Sequence, residues 1–359
     1  MYVNDMERIK ARYAEYWNME NHDRPLLSLT APKDGAVARK FTPLSRDVKK
    51  NWWDTELIVR RFREHTDARF FAGEAFPAAN PNLGPDVMAA FLGAEIMYES
   101  MNTSWSVNFV EDWADHNFKF DPGNIYWKKI VEITEAFLDD SRGDYIVGVT
   151  DLHSSLDCLI SMRGPEKLCL DLFDCPDKVN AALAQVETAF REVLYRSYDI
   201  IRKKQTGMTN WMGIYHPDKW YVSSMDFIYL ISPAAFDEFA GPCVRRDAGI
   251  IGANIYHLDG VGSLNHLDKL LAMPEIHGIQ WVYGAGQPTA AHWIDIFKRV
   301  QAAGKLLTVD CVPEDMPAIF ASGLKPEGAH YSVSCKNEAQ CAQILADAQV
   351  AYKRTAHGG

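Results

Sequence analysis

The chain has 359 residues, with 37 Lys and Arg against 48 Asp and Glu and a formal charge of −11. A hydrophobic share of 47% with 24% charged residues is ordinary globular composition, enough for a large buried core. The acidic balance speaks against nucleic-acid binding, which needs a basic stripe, and no apolar run approaches the ~20 residues that span a bilayer.

From the N-terminus, MYVNDMERIKARYAEYW has neither an apolar core nor a cleavage site, so it does not read as a signal peptide. Residues 1–65 read as a helical N-terminal extension. Strand candidates then follow at Ala68–Ala72, Asp144–Thr150, Thr209–Tyr215 and Val222–Phe227, and again at Gly252–His257, Gly278–Tyr283, Lys305–Cys311 and Ala329–Ser334. Short continuous apolar runs of this kind suit parallel strands buried on both faces. Helical stretches lie at Asn124–Asp140, Pro176–Lys204, Pro233–Gly249, Ser263–Leu271, Ala290–Ala303, Pro313–Ser322 and Glu338–Tyr352. Several open on a capping residue or a proline at the first helical position, as in Ser232-Pro233 and Cys175-Pro176-Asp177.

Eight strands alternating with helices predict an α/β protein, a single (β/α)8 TIM barrel spanning 1–359. A doubly wound sheet is the rival, but no GxGxxG stands at the first strand–helix turn. The segment 73–143 is too long for a plain βα loop and carries FPAANPNLGP and NTSWSVNF, so part of it is expected to cover the barrel mouth. Seven scattered cysteines without a CxxC pair fit a reducing compartment, and a cytoplasmic location is expected.

Barrel chemistry sits at the C-terminal ends of the strands. Those ends carry Glu74, Asp151 with His153, His216, Asp226, His257 with Asp259, Tyr283, Asp310 with Cys311, and Cys335. In His257-Leu258-Asp259, residues i and i+2 of a strand point the same way, so the imidazole and the carboxylate both face the mouth. They suit a shared Zn²⁺ or an oriented pair for proton transfer. The plainer reading of two residues alone is a hydrogen-bonded His257 and a capping Asp259. Cys335, after the last strand, adds a third ligand and leaves one open position, the arrangement of a catalytic zinc. Cys311 is a rival or additional ligand, and the other five cysteines fall on helical stretches. Asp226 and Asp310 also stand where a barrel glycosidase holds its two carboxylates, but no Asn-Glu pair accompanies them. There is no GxSxG and no P-loop.

Four segments resemble the uroporphyrinogen decarboxylase superfamily: GPDVMAAFLGAE (84–95), SMRGPEKLCLDLFDCPDKV (161–179), SSMDFIYLISPAAFDEFAGP (223–242) and IYHLDGVGSLNHLDKLL (255–271). Within it the chain is most similar to the cobalamin-dependent methyltransferases of the methylcobalamin:coenzyme M type. The resemblance implies a (β/α)8 barrel, agreeing with the strand count. It also implies zinc held by a His-x-Cys pair after the fifth strand and a cysteine after the eighth, on which a thiol is deprotonated to take a methyl group from methylcobalamin. His257 and Cys335 match that pattern, and Asp259 stands where the first cysteine would be. A carboxylate donates less charge than a thiolate, so the metal is expected to be a stronger Lewis acid and the acceptor need not be coenzyme M.

The expected activity is thus zinc-dependent methyl transfer between a corrinoid and a thiol or similar nucleophile. His257, Asp259 and Cys335 would hold the metal, and Asp226, His153, His216 and Tyr283 would shape the site. The corrinoid would come on a separate carrier protein, since no DxHxxG segment is present. A metal-free decarboxylase is the alternative. It is disfavoured because RPLLSLTAPKDG lacks the arginine-rich segment with which those enzymes grip carboxylates. A non-catalytic relative binding a corrinoid or small ligand is a third reading.

Overall fold

The computed structural model describes residues 2–3, 5–35 and 41–355. Its strands are β1 (Leu26–Pro32), β2 (Arg69–Gly73), β3 (Ala78–Ala79), β4 (Glu95–Tyr98), β5 (Ser104–Val107), β6 (Ile146–Val147), β7 (Trp220–Ser224), β8 (Ala253–Asp259), β9 (Gly278–Val282), β10 (Leu306–Cys311) and β11 (Ala329–Ser334). Seven of them form the central sheet in the order β2-β1-β11-β10-β9-β8-β7, parallel throughout except where β2 meets β1. The pair β3–β6 is also parallel, and a single bridge carries on from Gly148 to Thr209. The hydroxyl of Tyr221, in β7, donates to the Thr150 carbonyl and accepts from the Leu152 N–H, fixing residues 150–152 beside β7. Helices alternate with the strands, as the α/β reading expects.

The two faces of the sheet differ in chemistry because parallel register puts aligned residues on one side. One row runs Leu258, Trp281, Val309 and Tyr331, all essentially without solvent contact. It is the face on which the flanking helices pack. The next row runs His257, Gln280, Thr308 and His330, and it is knit by side-chain hydrogen bonds. His257 lies 2.6 Å from Gln280, and His330 lies 2.6 Å from the Thr308 hydroxyl and 2.8 Å from that of Ser28. Burial lowers the pKa of His330 to about 4, so this imidazole is neutral and serves structure.

Three elements differ from the sequence reading. The stretch 1–65 is not wholly helical, because Leu26–Pro32 pairs with β11 as a sheet strand between the helices Met6–Trp17 and Thr55–Asp67. Its residues 36–40 lie outside the described part. The run at 68–72 is a strand, but an antiparallel one, so its C-terminal end and Glu74 lie at the N-terminal end of β1. The run 209–215 is a bridge followed by a turn: the Asn210 side chain accepts from the Met212 N–H, and Gly213 takes φ +67°. Chain returning from that turn pairs His216 with Met208 before β7 begins.

Glu74 is wholly buried and paired twice with Arg24, at 2.7 and 2.8 Å, with Arg8 and Arg12 at 3.3 and 3.6 Å. It also accepts from the Leu27 N–H. Burial alone would raise its pKa, but Arg24 outweighs burial and holds it below the ordinary value. This is a structural anchor, remote from the C-terminal ends of the parallel strands. Among the described residues, no helix is long and apolar enough to cross a membrane. Replacing Glu74 with Ala leaves the buried Arg24 guanidinium unpaired, and chemical denaturation should show a loss of about 3–5 kcal/mol.

Candidate metal centre at the strand ends

β8 ends with His257 and Asp259 half-buried on the same side and Leu258 turned into the packing, as strand alternation requires. β7 ends at Ser224, and the chain then turns through a 3-10 helix, Asp226–Leu230. The start of this turn is fixed by Asp157, whose carboxylate accepts the backbone N–H groups of Asp226 at 2.8 Å and Phe227 at 2.9 Å. An anion at a helical N-terminus is the favourable arrangement for those otherwise unpaired donors. Asp157 itself rides on the helix Ser155–Arg163, whose start is tied down by Asp247 through 2.6 Å bonds from the Ser154 and Ser155 hydroxyls.

Two groups of potential ligands result, and Asp226 belongs to both. Asp226, His257 and Asp259 offer atoms within 4.8 Å of one another, and so do His153, Asp157 and Asp226. A cavity of about 400 Å³ is bounded by Asp226, Tyr229, Asp259 and Tyr283. A second, of about 290 Å³, is bounded by Asp86, His153, Asp157 and Asp226. Neither is lined by Lys or Arg among the described residues.

The electrostatics follow from this crowding. Asp226 is exposed at the rim, with its carboxyl bordering both cavities. Partial desolvation, then the neighbouring Asp157 carboxylate, push its pKa up to about 6, against the opposing pull of His257 and His153. Burial would lower the pKa of His153, but Asp151 at 3.4 Å and Asp157 at 3.5 Å more than reverse that and hold it well above the ordinary value. Burial raises Asp310, which hydrogen-bonds Ser332 and receives a long 3.4 Å contact from Gln280.

The structure therefore brings together His257, Asp259, Asp226 and His153, with Tyr283 on the cavity wall. It does not bring in three other residues of the sequence reading. His216 precedes β7 and packs edge-on against Trp17, which also packs against Trp220 at the start of that strand; the imidazole is at the opposite end. Cys335 is buried in contact with Cys341 of the helix Glu338–Thr355 and belongs to neither ligand group. It continues the alternation of Tyr331 and Val333, the helix-packed side, and burial raises its thiol pKa. Cys311 shares that side, aligned with Val333 and likewise buried. From the 73–143 segment, Pro85 and Asp86 do border the smaller cavity.

Sequence reasoning missed Asp157, Asp86 and Gln280. Asp157 had a signal, standing four residues after His153 in HSSLD, a spacing that puts two side chains on one side of a helical turn.

No family model and no curated protein matches the sequence. The fold is similar to that of a methyltransferase from Methanosarcina mazei, with a TM-score of 0.62 over 96% of this chain and 99% of that one, at 12% identity. A match to macrophomate synthase covers 64% of this chain at a TM-score of 0.23 and 15% identity and carries no argument.

The raised pKa of Asp226 is open to direct measurement. In metal-free protein its carboxyl should titrate near 6 by carbon-13 NMR. Asp157→Asn should lower that value by removing a like charge, without returning it to the ordinary range, because desolvation remains.

Proposed function

We propose that the protein is a metal-dependent methyltransferase, folded as a closed eight-stranded barrel of β1, β3, β6 and β7 to β11, that moves a methyl group between a corrinoid and a nucleophile. The observation that carries the reading is the convergence of His257, Asp259 and Asp226 at the C-terminal ends of β8 and β7, in a recess open to solvent. The similarity in fold to a methyltransferase supports it.

The donor set fits Zn²⁺ or another divalent first-row cation: one imidazole and two carboxylates neutralise a 2+ charge and leave room for a further ligand. Asp226 takes the place that the sequence reading gave to Cys335. A bound cation would supply Lewis acidity, lowering the pKa of a coordinated thiol or hydroxyl so that the anion is the attacking species. The chain's own residues prepare for this. Gln280 holds His257 by Nδ1 and leaves Nε2 free to face the recess. Asp157 fixes the backbone that presents Asp226, and Tyr283 closes the wall of the larger cavity. The exposed lip formed by Tyr229, Leu230 and Val261 offers apolar surface beside the cavity for the corrinoid macrocycle, delivered on a carrier protein.

The decarboxylase alternative is not supported by charge: a porphyrinogen brings several carboxylates, and among the described residues no Lys or Arg lines either cavity to receive them. The same lack of a basic partner favours an acceptor without a sulfonate, so an uncharged or cationic acceptor is proposed.

Metal analysis and a methylcobalamin assay test the reading. Purified protein should carry zinc or take it up. It should demethylate methylcobalamin in the presence of thiols, followed by the cobalamin spectrum. His257→Ala should abolish both metal at this centre and turnover, while Cys335→Ala should keep both. Protein that binds no metal under any loading condition overturns the proposal.

A further inference from the structure

We infer that Asp226 bridges two cations, and that His153 and Asp157 form a second divalent-metal site beside the one at His257 and Asp259. The inference rests on the metal-centre reading above and extends it from one ion to two.

Three observations carry it. The first is geometric: both triplets offer ligand atoms within 4.8 Å of one another, and the residue they share is a carboxylate, the side chain whose two oxygens can serve two ions. The second concerns the imidazoles. A metal-bound histidine is oriented by an acceptor on its other nitrogen, commonly a carboxylate or an amide or backbone carbonyl. His257 has Gln280 Oε1 at 2.6 Å from Nδ1, and His153 has Asp151 at 3.4 Å from Nε2. Each ring is thus held from behind, and His153 turns Nδ1 toward Asp157 at 3.5 Å. Neither Gln280 nor Asp151 is itself in a ligand triplet.

The third is charge. Asp151, Asp157, Asp226 and Asp259 gather around two imidazoles without a Lys or Arg lining the adjoining cavities. With both imidazoles neutral, four carboxylates against one divalent cation leave two negative charges at close quarters, where they repel. A second divalent cation balances them. The two cavities, about 400 and 290 Å³, both border Asp226, one reaching Asp259 and the other His153 and Asp157, so each triplet has an open approach. With one nitrogen and two oxygens apiece, both sites suit Mn²⁺, Fe²⁺ or Zn²⁺.

The rival arrangement keeps His153 as an imidazolium clamped between Asp151 and Asp157, supplying the positive charge itself, with a single metal at His257. Titration of chelator-stripped, full-length protein with Mn²⁺ separates the two. Two equivalents should bind, with an exchange-coupled electron paramagnetic resonance signal. His153→Gln and His257→Gln should each retain one equivalent and show the spectrum of an isolated ion. Asp151→Asn, which leaves every ligand in place, should weaken the second equivalent about 10–100-fold and spare the first; it serves if His153→Gln does not fold. One equivalent in the native protein, unchanged by His153→Gln or Asp151→Asn and lost in His257→Gln, overturns the bridged pair while leaving the single-metal reading intact. No binding of Mn²⁺ or Zn²⁺ overturns both.

Discussion

Strand alternation in a parallel sheet is the constraint from which the site follows. Because aligned residues share a side, one row of the sheet is Leu258, Trp281, Val309 and Tyr331 and the adjacent row is His257, Gln280, Thr308 and His330. The apolar row is close-packed and fixes the strands. The polar row cannot be left unsatisfied, since a buried polar group without a partner costs about 1–3 kcal/mol. Its members pair with one another, so the orientation of His257 is set by Gln280, and Gln280 in turn reaches Asp310. The presentation of His257 at the rim is a consequence of hydrogen-bond satisfaction inside.

Charge is distributed unequally between the two ends of the strands. At the N-terminal end, three arginines surround the single buried Glu74. At the C-terminal end the excess is reversed, with several aspartates crowding two histidines. The first arrangement is neutralised once Glu15 and Asp23, which also pair with Arg12, are counted, and it closes the fold. The second is not, and the raised pKa of Asp226 reflects desolvation first and then repulsion from Asp157. An assembly that folds around uncompensated like charge gains stability when a cation binds, because binding to the native state alone shifts the folding equilibrium. Arg8, Arg12 and Arg24 are engaged with Glu74 at the far rim.

The second half of the sheet is legible in sequence because β8 to β11 are short apolar runs, rich in β-branched or aromatic residues and closed by helix-start signals. β1 is not, because LLSLTAP is leucine-rich and leucine suits a helix at least as well as a strand. The run read at 68–72 is a strand, Arg69–Gly73, yet nothing local to it encodes direction, and only the pairing with β1 makes it antiparallel. At 209–215 the turn residues Asn210 and Gly213 outweigh the apolar content. For the site, the i, i+2 rule suffices for His257 and Asp259, since both lie on one strand. Asp226 and Asp157 meet across 69 residues of chain, and no spacing rule reaches that far.

The same parity explains why a cysteine at the end of the last strand need not be a ligand. Cys335 follows Ser334 by one residue, and one residue is the difference between the two sides of a strand. With Val333 and Tyr331 it belongs to the side that packs on the helix Glu338–Thr355, where Cys341 is its neighbour. A thiolate in that apolar setting would be desolvated without compensation, so the neutral thiol is the stable form there. The carboxylate of Asp226, by contrast, sits where charge is already accumulated and where a cation would relieve it. A donor set of imidazole and carboxylates is harder than one of imidazole and thiolates, and it holds a more electrophilic metal. In the proposed centre that difference would leave the soft ligand position to the substrate instead of a protein thiolate.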